Sequence, residues 1–357
     1  MDLNEILGKF EVKTKIEEYG NGHINDTYLC ESRYILQRIN VNVFENPAHV
    51  MENIYNVTEH IGKKIKAAGG NPDRETLTVI PTIDGDCYYK ADDKNYFRMY
   101  KYISDSLSYD TVENPIQLYY AGRAFGAFQK MLDDFPAEKL HETIKDFHNT
   151  PKRVENLKKA IEEDKAGRRG EVQKEIDFAL EYAKYADLIV NATEKGEVPV
   201  RVTHNDTKLN NVLFDKDTGK ELCVIDLDTV MPGSALYDFG DALRFGASSG
   251  AEDETDLDKI YFDLEKFEQF AKGFLAKTGD CLTKKEIELL PISALILTYE
   301  CGIRFLTDYL EGDTYFKIHR EKHNLDRARN QFKLVKDIEK KLEEMSKIID
   351  KSEFAGK

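Results

Sequence analysis

The chain has 357 residues, 33% of them charged, with 51 lysines and arginines against 66 aspartates and glutamates, a formal net charge of −15. That length suits two lobes around a shared cleft, and a field this negative repels nucleic acid and anionic membrane surfaces, so neither is an expected partner. Five cysteines (Cys30, Cys87, Cys223, Cys281, Cys301) lack metal-ligand spacing, the first residues hold no apolar signal core, and the longest apolar run, 294–297, is too short to span a bilayer, which together predict a soluble, reduced, cytoplasmic protein.

Leu3, Ile6, Leu7 and Phe10 recur at helical spacing and open the chain as a short amphipathic helix. A strand-like piece through Ile16, a turn over 19–25 and two strands over 27–30 and 34–39 follow. A helix over 47–68 carries Val50, Ile54, Val57, Ile61 and Ile65 as one stripe. Beyond Gly69-Gly70-Asn71-Pro72 strands return over 76–80, 87–90 and 96–103. From Asn114 helices dominate: one marked by Ile116, Tyr119, Tyr120, Phe128 and Leu132, then a helical pair over 154–190 broken at 167–170. Two apolar strands interrupt them, one over 212–214 and one ending in Asp226. The interval 262–308 returns to helix, and 325–349 is a lysine- and glutamate-rich helical tail. No coiled-coil seam or long apolar edge demands self-association, so a monomer is expected.

The residues that carry chemistry sit between those helices. His204-Asn205-Asp206, with Asn211 five residues past the aspartate, fits the H-x-D-x-x-x-x-N loop of phosphoryl-transfer folds, and Val224-Ile225-Asp226 is an apolar strand ending in a carboxylate. In such a loop Asp206 accepts or orients the proton of the attacking hydroxyl. Asn211 and Asp226 supply the oxygen ligands that a hard Mg²⁺ ion takes, and Lys208 can reach the transferring phosphate of ATP as a point charge. The plain alternative is a chance H-x-D and an Asp226 that caps a turn. Asp228 is either a support or a further metal contact, while Asp238 and His204 read as residues that hold the loop.

A nucleotide calls for more. Gly20 and Gly22, in a turn between strands, would let backbone N–H groups approach phosphate oxygens, though an ordinary hairpin has the same pattern. Gln37 falls where the third strand of a kinase keeps its phosphate-binding lysine, so the charge there must come from elsewhere. Arg38 is next in sequence but points to the opposite face unless a bulge redirects it, and the ion pair with a helix glutamate (Glu52 or Glu59) is in question. The segment 98–103, with Tyr102, is either a hinge whose backbone meets adenine or a plain core strand.

These segments, with Leu243-Arg244-Phe245-Gly246-Ala247-Ser248 and Glu300-Cys301-Gly302-Ile303-Arg304-Phe305, resemble the aminoglycoside-phosphotransferase-like family of small-molecule kinases from about residue 20 to about 330. The resemblance implies an α+β, bilobal, protein-kinase-like fold, with a small β-rich nucleotide lobe over 1–103 and a larger, mainly helical catalytic lobe over 104–357. It also implies ATP and Mg²⁺ as cofactors. Within the family these segments are most similar to the members that act on N-acetylhexosamines, where Gln37 in place of lysine is part of the pattern. That narrower likeness implies phosphorylation of the anomeric hydroxyl of GlcNAc or GalNAc, with Asp206 as base and His23, Arg304 and Tyr315 contacting the sugar. Arg304 reads equally as the partner of Asp308 in a structural salt bridge. A same-fold kinase of choline, homoserine or an aminoglycoside is the nearest other reading, and a non-catalytic nucleotide- or sugar-binding protein is a more distant one.

Overall fold

The computed structural model describes residues 2–20 and 25–351, so the expected roles of Gly22 and His23 lie outside the described residues. Helix α1 (Leu3–Gly8) opens the chain, followed by strands β1 (Ile16–Glu18), β2 (Asp26–Cys30) and β3 (Tyr34–Ile39). Next come helix α2 (Pro47–Ala67), a single helical turn α3 (Pro72–Glu75), and strands β4 (Tyr89–Asp92) and β5 (Asn95–Lys101). The five strands form one antiparallel sheet in the order β1-β2-β3-β5-β4. The run 76–80, expected as a strand, lies along β5 through a bridge between Val79 and Tyr100 and an Ile80 N–H donated to Met99, too few contacts for a strand of its own.

Strand alternation decides which sheet face meets what. Cys30, Leu36, Phe97 and Met99 bury against Ile6 and Leu7 of α1 and Phe10 just after it. Ile35 and Ile39 of β3 and Tyr100 of β5 face the opposite way, onto the Val50, Ile54, Val57, Ile61 and Ile65 stripe of α2. That second core continues into Leu227 and Val230, so apolar packing ties the sheet lobe to the loop after Asp226.

The rest is mainly helical. The strands here are β6 (Ser106–Leu107), β7 (Arg201–Thr203), β8 (Val212–Asp215), β9 (Glu221–Val224) and β10 (Met231–Gly233). They form a three-stranded sheet, β6-β8-β9, and a ribbon, β10-β7. The helices are α4 (Pro115–Met131), α5 (Thr150–Glu163), α6 (Gln173–Tyr182), α7 (Leu188–Glu194), α8 (Ala235–Gly246), α9 (Leu264–Thr278), α10 (Lys284–Glu311) and α11 (His323–Lys351). The predicted pair over 154–190 is three helices, α5 to α7, because a left-handed Asp164 stops α5 and a break follows Tyr182. The single predicted helix over 262–308 is two, because Thr283 and Glu286 form a capping box that starts α10 afresh. Asparagine followed by proline starts α2, α3 and α4, the asparagine side chain accepting a free N–H and the proline giving up none. Apolar residues of α10 flank Glu300 on both sides, and an 18-residue window of this helix is apolar enough to cross a membrane, contrary to the expectation from run length; 89% of that window is buried inside the protein as core.

Two helices touch backbone to backbone, and their contact places the site. A Cβ on Gly273 of α9 would lie 2.0 Å from the Tyr119 carbonyl oxygen of α4, and one on Gly122 of α4 would lie 2.3 Å from that of Phe270. Helix α4 in turn presents Phe125 and Phe128 to His204 in the loop after β7, and Gln129 to Asp238 of α8. Gly273→Ala should therefore force the helices apart, at a cost of about 1–3 kcal/mol for overpacking. A chemical-denaturation midpoint lowered accordingly would agree, and an unchanged midpoint would refute the close approach.

Candidate active site

Strand β7 delivers His204, Asn205 and Asp206 into a loop held from below by α8. The Asp238 carboxylate accepts the His204 N–H at 3.0 Å, the Asn205 N–H at 2.8 Å and the Gln129 side-chain N–H at 2.6 Å. Asp241, one turn further along α8, accepts the Thr207 N–H at 3.1 Å. Asn205 is left-handed, with φ of 65°, and its side chain, donating to the Thr229 carbonyl at 2.9 Å, holds it there against the steric cost. His204 is fully buried and edge-on to Phe125 and Phe128. Its Nδ1 accepts the Asp206 N–H at 3.2 Å while Nε2–H donates to the Ile225 carbonyl at 2.9 Å, so both nitrogens are occupied by structure.

Asp206 is thereby aimed into the cleft. Its Oδ1 lies 2.8 Å from the Lys208 Nζ, and its Oδ2 accepts from Asn211 at 3.2 Å. Burial pushes the Asp206 carboxyl up, but the Lys208 ammonium beside it outweighs that and holds it below the usual carboxylate range. Asn211 also donates the same amide nitrogen to the Asp206 carbonyl at 2.7 Å, which turns its Oδ1 away from Asp206, and no donor to that oxygen is found among the described residues. Asp226, left-handed with φ of 60°, follows β9. Its carboxylate takes no hydrogen bond from the described residues and opens onto the cleft, yet protein mass surrounds it. Burial, with Asp228 and Asp206 adding repulsion, pushes its pKa up to about 6. An amide oxygen and a repelled carboxylate are oxygen donors of the kind a Mg²⁺ ion takes beside phosphate and water. The expected metal ligands fit the ion.

The nucleotide side differs more from expectation. β3 and β5 pair without a bulge, so Arg38 points away from α2 and pairs with Asp26, its Nε at 2.7 Å. It cannot serve the cleft. Glu52 pairs with His141 and Glu59 with Lys63, so neither helix glutamate reaches the sheet. Gln37 does face α2, but both ends of its amide are engaged, the nitrogen donating to Thr27 at 3.0 Å and the oxygen accepting from Arg98 at 2.9 Å. Gly20 is left-handed at φ of 76° with open space around it, as a phosphate-covering turn needs. Tyr102 donates its N–H to the Arg33 carbonyl at 2.8 Å, so that group is not open to adenine, and its ring stands edge-on to Tyr19.

On the acceptor side Arg304 makes no ion pair among the described residues; its guanidinium lies 5.4 Å from the Phe147 and Phe316 ring centres and 5.9 Å from that of Tyr315. Asp308 is occupied elsewhere. It accepts the N–H groups of Thr314, Tyr315 and Phe316 and so folds the loop that carries Tyr315. One turn before Arg304, Glu300 accepts from Thr150 at 2.7 Å and lies 2.8 Å from His148, whose other nitrogen is 3.2 Å from the Asn205 carbonyl. Glu300 and His148 thus tie α10 to the catalytic loop. A cavity of about 420 Å³ is lined by Asn205 of the catalytic loop together with His148 and Tyr237, and another of about 430 Å³ lies between α4 and β9.

Sequence reasoning missed Arg98, Asn25 and the His148–Glu300 pair. A lone arginine in the apolar run Phe97-Arg98-Met99-Tyr100 was the available signal for the first.

The chain matches the phosphotransferase enzyme family over residues 15–270. It belongs to that family. Solved structures of similar fold include a microcompartment-associated aminopropanol kinase, with a TM-score of 0.64 and 17% identity over 96% of this chain and 98% of that one. A spectinomycin phosphotransferase in complex with ADP and spectinomycin gives 0.59 and 14%, over 96% and 97% of the two chains. An amicoumacin kinase in complex with AMP-PNP and Ca²⁺ gives 0.60 and 12%, over 96% and 94%. At these identities the likeness is one of fold: an α+β, protein-kinase-like phosphotransferase.

The Asp226 shift has a checkable sign. A carboxyl raised to about 6 binds a proton in competition with metal, so below that pH the apparent affinity for Mg²⁺ should fall, by up to about tenfold per unit. The acid limb of the pH–rate profile should therefore move to lower pH as Mg²⁺ is raised. A limb that ignores Mg²⁺ would contradict the assignment of Asp226.

Proposed function

We propose that this phosphotransferase uses ATP and Mg²⁺ to phosphorylate the anomeric hydroxyl of N-acetylhexosamines, GlcNAc or GalNAc, giving the sugar 1-phosphate. The observation that carries the phosphoryl-transfer half is the convergence of Asp206, Lys208, Asn211 and Asp226 on one cleft. Asp206 accepts the hydroxyl proton. An anomeric hydroxyl is more acidic than the others of a sugar, so a carboxylate held ionised by Lys208 is a sufficient base. Lys208 shares its charge between that carboxylate and the incoming phosphate. Mg²⁺, held by Asn211 and Asp226, would neutralise charge on the phosphate oxygens. The lobe boundary lies between Ile103 and Ser104 in this reading, with Gly20 and Gly22 over the nucleotide and the acceptor on the helical side.

The acceptor half rests on Arg304. A guanidinium that forms no ion pair among the described residues, held among Phe147, Phe316 and the exposed Tyr315, has donors to offer a carbonyl or hydroxyl and repels a cation. Aromatic faces beside such donors suit a sugar ring bearing an N-acetyl group. A cationic acceptor is the second reading, because Glu142, Asp146 and Glu194 edge the cavity of about 420 Å³ that reaches Asn205.

The decisive assay is Mg²⁺-dependent ADP release from ATP with GlcNAc, GalNAc, glucose, galactose, choline and an aminoglycoside, beside the Asp206→Asn protein. Turnover with the N-acetylated sugars, reduced at least about a hundredfold in the variant as for loss of a general base, is expected. Turnover with the cationic acceptors alone would overturn the sugar assignment.

A further inference from the structure

The positive charge that β3 lacks is present one strand away. In the β3–β5 register Gln37 lies directly opposite Arg98, and the two side chains share the face turned toward α2. The Arg98 Nε–H donates to the Gln37 Oε1 at 2.9 Å, and its Nη1 pairs with the Asp228 carboxylate. Asn25, at the end of the glycine turn, donates to the other Asp228 oxygen at 2.7 Å. Thr27, Gln37, Arg98, Asp228 and Asn25 thus form one connected polar chain from the sheet to the loop two residues beyond Asp226.

This arrangement is costly to keep for packing alone. The Arg98 side chain is 1% exposed, with the Met51 sulfur of α2 against its Nη1, and a buried ion pair gives no more stability than apolar side chains of the same volume. Phosphoryl-transfer folds of this kind use a third-strand lysine, fixed by a helix glutamate, to balance nucleotide phosphate charge. Here the strand position is Gln37, and the two candidate glutamates are turned to His141 and Lys63. Meanwhile Asp206, Asp226 and Asp228 gather beside the place where phosphates would come.

We propose that Arg98 on β5 is the cation of the nucleotide site, replacing the absent third-strand lysine, with Gln37 and Asp228 as the groups that hold it in place. Asp228 then does for Arg98 what a helix glutamate does for the lysine, and it ties the cation to the metal loop rather than to α2. The inference rests on the nucleotide reading above and extends it to a residue outside the motif. Arg98 is a positioning and charge-balancing residue.

Exchanging the two partners across the strand pair tests this. Binding of Mg·AMP-PNP, measured by calorimetry without any acceptor, should weaken at least about tenfold in Arg98→Gln, the loss of one charge-assisted interaction. The double variant Gln37→Lys/Arg98→Gln, which moves the charge back to β3, should recover most of that loss. A structural tie alone predicts no recovery, because a lysine at 37 does not rebuild the arginine fork. If Arg98→Gln fails to fold, Arg98→Lys decides: it should retain binding to within a few-fold because the charge remains, and a folded Arg98→Lys that loses binding overturns the proposal. So does an Arg98→Gln protein that binds as the wild type does, or a folded double variant that recovers nothing. A wild type that does not bind Mg·AMP-PNP would sink the nucleotide reading and the inference with it, whereas binding without turnover on any acceptor would sink only the acceptor assignment.

Discussion

The two N–H groups that His204 and Asn205 donate to Asp238 fix everything the cleft does. Those donors belong to a loop that must leave the ribbon, turn through a left-handed Asn205 and present a carboxylate one residue later. A backbone in that conformation relaxes unless its polar groups are held. Asp238 holds them from the first turns of α8, Gln129 holds Asp238 from α4, and α4 is fixed by glycine contacts with α9. The chain of supports therefore runs from a helix pair far from the chemistry to the aim of Asp206.

Charge is organised with equal economy. The molecule carries a formal net charge of −15, yet it handles phosphate. Long-range attraction is absent, so binding relies on charges set inside the cleft, where fewer water dipoles screen them. Lys208 lies against Asp206 and Arg98 against Asp228, while Asp226 forms no ion pair among the described residues. Its raised pKa expresses the cost of burial with two further carboxylates, Asp228 and Asp206, close by. A divalent ion at Asn211 and Asp226 would relieve that imbalance.

Much of this was legible in the sequence because it is local. The asparagine–proline starts of α2 and α4, the five-residue stripe of α2 and the spacing from Asp206 to Asn211 depend on neighbours within a few turns. The α+β, protein-kinase-like fold follows from their order, and the family match agrees with it. What escaped was non-local. Arg98 and Asp228 are 130 residues apart, and His148 and Glu300 are 152 apart. Neither pair follows a period or a motif, and each becomes visible only when two elements pack. Arg304 shows the opposite failure: helical spacing to Asp308 suggested a salt bridge, but three backbone N–H groups claim that carboxylate first. The divided helices came from caps and a left-handed stop, which apolar periodicity does not register.

The central claim is that Asp206 takes a proton from an anomeric hydroxyl, and the position of the new phosphate tests it most directly. Phosphorus and proton NMR of the product from ATP, Mg²⁺ and N-acetylglucosamine should show the phosphorus coupled to the anomeric proton. Coupling to the C6 protons instead, or ADP formed with no phosphorylated sugar, would contradict it.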